Sequence, residues 1–182
     1  MTDIITETTD TTASVYQIDT TGRKNGFYRQ SIWNSDAKFK LIYDGKLGIQ
    51  KILRPADVVV EYNYTNDVLD GAYSITRHYS KHIVGDICEN IARSRLEGVY
   101  KVGMKSGFER EYVFLDGWCL IREAHYNLGK LDGIVRKFDV DGNLMYSATF
   151  VGGLRHGPET HFTTDGGIWR ANTWVHGRQC AA

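Results

Sequence analysis

Three stretches decide how this chain is read: Gly107-Phe-Glu-Arg-Glu-Tyr-Val-Phe-Leu-Asp-Gly117, Gly133-Ile-Val-Arg-Lys-Phe-Asp-Val-Asp-Gly142 and Gly157-Pro-Glu-Thr-His-Phe-Thr-Thr-Asp-Gly166. Each opens on glycine, carries an aromatic five positions later (Tyr112, Phe138, Phe162) and closes on Asp-Gly. A second run follows each one, over 118–126, 144–151 and 168–175. The second stretch begins 26 residues after the first, and the third 24 after the second. A period in this range marks stacked supersecondary units. The linkers repeat as well: Gly103 and Gly107, Gly129 and Gly133, Gly153 and Gly157 are four apart, as are Gly22 and Gly26. The residue before the second or an equivalent glycine is small or polar almost every time (Asn25, Asp70, Glu97, Ser106, Asp132, His156, His176), which predicts a turn with positive φ at that pair.

Inside a unit the apolar pattern has a period of two, which argues for strands. Phe108, Arg110, Tyr112 and Phe114 share one face, with Glu109 and Glu111 on the other as a solvated edge. In the return runs Trp118, Leu120, Ala124 and Tyr126 alternate with Cys119, Glu123 and His125, and Leu144, Tyr146, Ala148 and Phe150 with Met145, Ser147, Thr149 and Val151. Seven to nine residues between glycines are too few for a stable helix. Each unit is therefore expected to be a β-hairpin with an Asp-Gly tip. One hairpin is marginal in water, whereas stacked hairpins build a continuous apolar face. The expected fold is all-β: an elongated antiparallel meander of stacked β-hairpin repeats in a single-sheet solenoid, with about six units from Gly26 to Gly177. The middle is degraded. Between Gly48 and Gly71 the strand-like runs 49–53 and 58–64 are joined at Pro55-Ala-Asp57. The unit from Gly71 runs to Gly98 with an enlarged tip at 80–86, and 98–107 looks like half a unit. The stretch 87–96 fits a short helix nearly as well as a strand.

The 182 residues allow one domain or two small ones. Residues 1–14 are biased to Thr, Asp and Glu and read as a flexible or docked arm; 15–182 read as the repeat domain. The 22 basic and 22 acidic residues cancel, which argues against a nucleic-acid groove and a purely electrostatic membrane binder. There is no 18-residue apolar run. The first residues lack the basic and apolar regions of a signal peptide. Cys88, Cys119 and Cys180 are far apart, with no C-x-x-C pair, as expected of free thiols in a reducing compartment. The expected localisation is cytoplasmic, or virion-associated if the source is viral.

The four-residue glycine spacing, the aromatic at plus five, the Asp-Gly pair and the aromatic-rich return strand resemble the MORN repeat, most closely the variant MORN repeats of antitoxin-like bacterial proteins and large DNA viruses. The resemblance is good over 103–177 and weak over 22–98. It implies an extended hairpin array without catalytic residues that scaffolds proteins, with membrane or lipid association in some members. In a large DNA virus this would be a minor virion or host-interaction component; in a bacterium, an antitoxin-like binding protein. The Pro55 turn, the long Gly71 unit and the half unit depart from the plain pattern, and an evenly curved groove does not follow.

No motif for catalysis or a cofactor stands out. His78 and His82 on a strand would lie about 13 Å apart, too far to share one ion, and nothing completes a tetrahedral set. His156 and His176 take turn positions filled by Asp, Asn or Ser elsewhere. Cys119 has no evident base partner, no Gly-x-Ser-x-Gly elbow exists, and Gly103-Met-Lys-Ser-Gly107 lacks phosphate-loop spacing. An enzyme would have to use His78, His82, Asp86, Cys88 and Glu89 in the irregular 80–96 region.

The remaining candidates are interaction residues. Arg29, Lys51, Lys101, Arg110 and Arg136 recur at plus three, on the same face as Phe27, Phe108, Tyr112, Ile134 and Phe138. Their stems stiffen the sheet by cation–π stacking, or they form a groove for an acidic peptide or an anionic lipid headgroup centred on Arg110, Tyr112, Arg136 and Phe138. On the second reading, charge reversal of Arg110 and Arg136 together abolishes partner binding. The last strand, Ile168-Trp-Arg-Ala-Asn-Thr-Trp-Val175, places Trp169 and Trp174 on an edge. Such edges recruit a partner or self-associate, unless 177–182 fold over it as a cap. The expected function is a non-catalytic scaffold or adaptor for protein partners, without nucleic acid.

Overall fold

In a computed structural model the described residues are 3–9, 12–33, 39–44, 48–53, 57–80 and 91–180. Among them there is no helix. The first strands are β1 (Asp3–Thr8), β2 (Thr12–Ile18), β3 (Lys24–Ile32), β4 (Phe39–Asp44), β5 (Gly48–Leu53), β6 (Val58–Thr65), β7 (Val68–Leu69) and β8 (Gly71–Ser80). They are followed by β9 (Ile91–Lys101), β10 (Met104–Lys105), β11 (Gly107–Phe114), β12 (Trp118–Asn127) and β13 (Lys130–Phe138), then β14 (Leu144–Val151), β15 (Leu154–Phe162), β16 (Ile168–Val175) and β17 (Arg178–Gln179). Fifteen strands form one open antiparallel sheet in the order β1-β2-β3-β6-β8-β9-β11-β12-β13-β14-β15-β16-β17, with β7 on β6 and β10 on β9. This is the all-β meander expected from the glycine punctuation.

The middle of the chain departs from the expected repeats. Strands β4 and β5 pair only with each other, as an inserted hairpin between β3 and β6. The 49–53 and 58–64 runs therefore do not form a unit together, and Lys51 lies off the main sheet. Gly98 sits in the middle of β9 beneath the Tyr73 ring, where an added Cβ would meet Tyr73 Cε1 at 2.8 Å. There is no half unit at 98–107. Residues 91–96 are strand; 54–56 and 81–90, which hold the Pro55 turn, the enlarged tip, His82, Asp86, Cys88 and Glu89, lie outside the described residues. Among the described residues five glycine-headed hairpins result, starting at Gly26, Gly71, Gly107, Gly133 and Gly157, where about six units were expected.

Consecutive units are joined by two-residue turns whose central residues both have positive φ: Val102-Gly103, Leu128-Gly129, Gly152-Gly153 and His176-Gly177, with Asn66-Asp67 in the same role earlier. This is the type I′ geometry that matches strand twist. The left-handed pair thus ends on the first glycine of each linker. The second glycines, Gly26, Gly107, Gly133 and Gly157, have positive φ as expected, but Asn25, Asp132 and His156 before them lie in strands β3, β13 and β15. The turn glycine also ties the units together. The amides of Gly103, Gly129, Gly153 and Gly177 donate to the carbonyls of Leu69, Lys105, Leu131 and Arg155 in the unit before, at 2.7–2.9 Å. Each unit offers the acceptor that the next needs, so the array is built from nearest-neighbour contacts. Gly22 belongs instead to a hairpin tip, in which Asp19 Oδ1 accepts from the amides of Thr21 and Arg23, as Asp139 Oδ1 accepts from Asp141 and Asn143.

Strict alternation also fails at a recurring bulge. Glu111 faces Arg122 while Tyr112 faces Leu120, leaving Ile121 extra; Met145 and Trp169 are the equivalent extra residues. A bulge reverses which face the following residues take. Trp118 and Leu120 therefore stand with Phe114 and Tyr112, whereas Ala124 and Tyr126 stand on the opposite face with Glu109 and Gly107. Leu144 is separated from Tyr146, Ala148 and Phe150 in the same way.

No second layer covers the sheet among the described residues, so burial comes from neighbours on the same face. One face, here the tyrosine face, carries a central cross-strand row: Tyr16, Tyr28, Tyr62, Tyr73, Gly98, Glu109, Ala124, Val135, Ala148, Glu159 and Asn172. Tyr73, Glu109, Ala124, Val135, Ala148 and Glu159 of this row are buried. The small residues are shielded because taller side chains flank them on both sides.

Candidate functional site

The tyrosine face is locked by its own contacts. Lys24 Nζ lies 4.8–5.5 Å from the ring centres of Tyr16, Tyr28 and Tyr64, and Lys105 Nζ 5.1–5.8 Å from those of Tyr73 and Tyr126. Tyr73 and Tyr100 rings are 4.9 Å apart. Glu109, read from the sequence as a solvated edge, is buried here. It accepts hydrogen bonds from Tyr73, Lys105, Arg122 (3.0 Å) and Tyr126 (3.3 Å). Glu159 is built the same way, accepting from Trp174 Nε1 (2.8 Å), Tyr146 (2.9 Å) and Asn172 (3.2 Å), with Arg155 Nε at 3.3 Å. Burial pushes both carboxyls up, but the donors outweigh it and hold both below the ordinary carboxylate range. Burial, helped by Glu109, pushes the Tyr73 phenol well up. Both are ionised struts at neutral pH, and neither carboxyl is poised as a proton donor there.

The opposite face carries Arg29, Lys101, Arg110 and Arg136 of the predicted basic residues, Lys51 being off the main sheet, and the register adds partners that sequence reading missed. The cross-strand row through plus three runs Arg29, Glu61, Ser74, Glu97, Arg110, Glu123, Arg136. Glu123 is clasped between Arg110 Nε (2.9 Å) and Arg136 (3.2 Å). Glu97 accepts from Tyr112 Oη (3.0 Å) and pairs with Arg95 (3.1 Å). Glu61 accepts from Ser74 Oγ (2.8 Å) and lies 3.7 Å from Arg29. This is an alternating charge ladder, so we name it the ladder face. Part-exposed pairs of this kind are worth about 0.2–1 kcal/mol each, so the ladder does more to set register than to stabilise. Glu61 and Glu123 escaped notice because they sit on return strands at no fixed offset from a unit glycine, and Glu97, expected at a turn before Gly98, lies inside β9. Arg110 also stacks over Phe108, its guanidinium 5.1 Å from the ring centre.

Beside the ladder runs the plus-one row: Phe27, Ala72, Phe108, Ile134 and Pro158, with Val99 between the second and third. Phe27, Val99, Phe108 and Ile134 are each at least 40% exposed. Where β8 contributes only Ala72 and Ser74, the surface dips into a groove of about 390 Å³. It is walled by Phe27, Val99 and Phe108 and bordered by Glu61, Glu97 and Arg110. Arg110, Tyr112, Arg136 and Phe138 all stand on this face, with Phe138 opposite Leu144.

The two tryptophans of β16 separate. Trp174 is half-buried, bonded to Glu159, with the Arg155 guanidinium 4.9 Å from its ring. Trp169, at the bulge, is 62% exposed and lies 5.4 Å from the His161 ring. Strand β17 pairs with Trp174 and Val175, and Cys180 N donates to Thr173 O (2.8 Å). The chain end thus caps one part of β16 and leaves Ile168–Asn172 uncapped among the described residues. His176 is a turn residue whose ring lies 4.9 Å from that of His156. Among the described residues no three of His, Cys, Asp and Glu converge as a metal set. No protein-family model matches the chain, and no curated protein matches it in sequence.

Proposed function

We propose that this chain is a non-catalytic repeat scaffold that holds a protein partner along its ladder face, in the manner its MORN-like unit spacing implies. The observation that carries the reading is the exposed apolar row Phe27–Val99–Phe108–Ile134 running beside a charge ladder that is already neutralised. An apolar strip bordered by polar, internally paired groups is the anatomy of a protein interface. A rigid sheet supplies it without an ordering cost. The alternative, an anionic-lipid scaffold, needs a surplus of cations, whereas the ladder row sets Arg29, Arg110 and Arg136 against Glu61, Glu97 and Glu123. A virion component and an antitoxin-like binding protein are the two settings in which such a scaffold acts.

The test is affinity capture from the native source by the intact protein and by the Phe27→Ser/Phe108→Ser variant, with far-UV spectra checked for identity. A protein captured by the wild type and lost from the variant is the expected result. Equal capture by both overturns the ladder face as the binding surface. Salt-sensitive flotation with anionic vesicles would favour the lipid reading.

A further inference from the structure

We propose that the two edges of the sheet are mates, and that copies of this chain join head to tail by pairing β1 of one copy with β16 of the next. Twelve strands run from β1 to β16 along the main sheet, every neighbour antiparallel. Because that number is even, β1 and β16 run in opposite directions. A second copy advanced along the sheet, without being turned over, then meets β16 with an antiparallel β1, tyrosine face continuing tyrosine face. With an odd number the same advance would bring the edges together parallel.

The lengths agree. Strand β1 has six residues, and β17 leaves 168–172 of β16 open. The outward backbone groups agree too. Thr9 N donates to Thr12 O, so the alternation of an antiparallel ladder turns Ile4, Thr6 and Thr8 outward. Cys180 N donates to Thr173 O, so Thr173 and, two residues back, Ala171 turn outward. Ala171 stands on the ladder face opposite Thr160, and Thr6 stands there opposite Val15. Pairing Ala171 with Thr6 keeps both faces continuous and sets Arg170 directly across from Glu7, both on the tyrosine face. The charges are complementary more broadly: β1 carries Asp3 and Glu7 and no cation, β16 and β17 carry Arg170 and Arg178 and no carboxylate. Neither edge strand carries a proline, and edge charges that keep like edges apart favour the oppositely charged edge of another copy. A contact between two different patches extends rather than closes.

The experiment is sedimentation velocity of the full chain from micromolar to millimolar concentration, with Thr6→Pro and Ala171→Pro variants. Each proline removes one outward amide and leaves the inner ladder its donors. The expected result is a wild-type mass that climbs above the 20.7 kDa monomer, with association at least about tenfold weaker in either variant. An equimolar mixture of the two variants should give dimers and nothing larger, since each keeps one competent edge. A second pair guards against misfolding: Glu7→Arg and Arg170→Glu should each weaken association about threefold, and the double variant should regain it. A wild type that stays monomeric throughout, or a proline variant that associates as well as the wild type, overturns the proposal. Phe27→Ser/Phe108→Ser should assemble like the wild type, so failure of the ladder-face reading is seen separately.

Discussion

Replacing Glu109 by valine is the sharpest test of what holds the sheet together. Valine already occupies the equivalent position one unit on, at Val135. The four residues Lys105, Glu109, Arg122 and Tyr126 correspond to Leu131, Val135, Tyr146 and Phe150, an apolar version of the same cluster, and to Arg155, Glu159, Arg170 and Trp174 beyond it. The isolated Glu109→Val change strips the carboxylate from two cations and two phenols. Breaking a buried pair from one side costs about 3–5 kcal/mol. The Lys105 and Arg122 side chains are 30% and 23% exposed and regain some water, which argues for the low end, about 3 kcal/mol. Orphaning the buried Tyr73 hydroxyl adds about 1 kcal/mol. Urea unfolding at neutral pH, followed by far-UV dichroism and tryptophan fluorescence together, should therefore show a loss of about 3–4 kcal/mol. Grafting the whole apolar set, Lys105→Leu/Glu109→Val/Arg122→Tyr/Tyr126→Phe, should return to within about 1 kcal/mol of the wild type, since no charge is left stranded. A loss below about 1 kcal/mol for the single variant, or a graft as damaged as that variant, would refute the reasoning.

Acid should act through the same groups. The folded carboxyls of Glu109 and Glu159 lie below their unfolded values, so their stabilisation is complete above about pH 4.3 and is lost as pH falls through the lower folded values. Denaturant midpoints followed downward from pH 5 should fall more shallowly for the apolar graft. Gly98→Ala, which drives a methyl into the Tyr73 ring, should cost about 1–3 kcal/mol by thermal unfolding. Leu128 is exposed and held at φ 48°; Leu128→Asn should raise stability by about 1 kcal/mol. Reversing Arg110 and Arg136 together would set new carboxylates against Glu97 and Glu123, costing more than about 1 kcal/mol in stability. Loss of binding in that variant is therefore ambiguous, and Arg110→Gln with Phe108 intact is the cleaner probe of partner affinity.

The hairpins were legible where the repeat is clean because glycine, aromatic and Asp-Gly recur at fixed offsets, and those offsets are local chemistry. The turns were misplaced by a few residues because several glycines of a linker tolerate positive φ. Only the hydrogen bond from the turn glycine to the preceding unit selects which one closes the turn. The inserted β4–β5 hairpin was hidden because nothing in its short runs tells a strand of the main sheet from one that pairs outside it.

Side-chain environment was much less legible. Glu109 and Glu111 look alike on one strand, yet Glu109 lies beneath tyrosines and cations from β8, β10 and β12. The arginines of the ladder face looked free because their partners Glu61 and Glu123 are 32 and 13 residues away along the chain. By itself the sequence determined that the chain folds back and forth into β-hairpins, since that depends on backbone freedom at glycine and a period of two. Which strand pairs with which, where the bulges reverse the faces, and which charges meet were decided only by the tertiary structure, because cross-strand register places residues of no fixed separation within bonding distance.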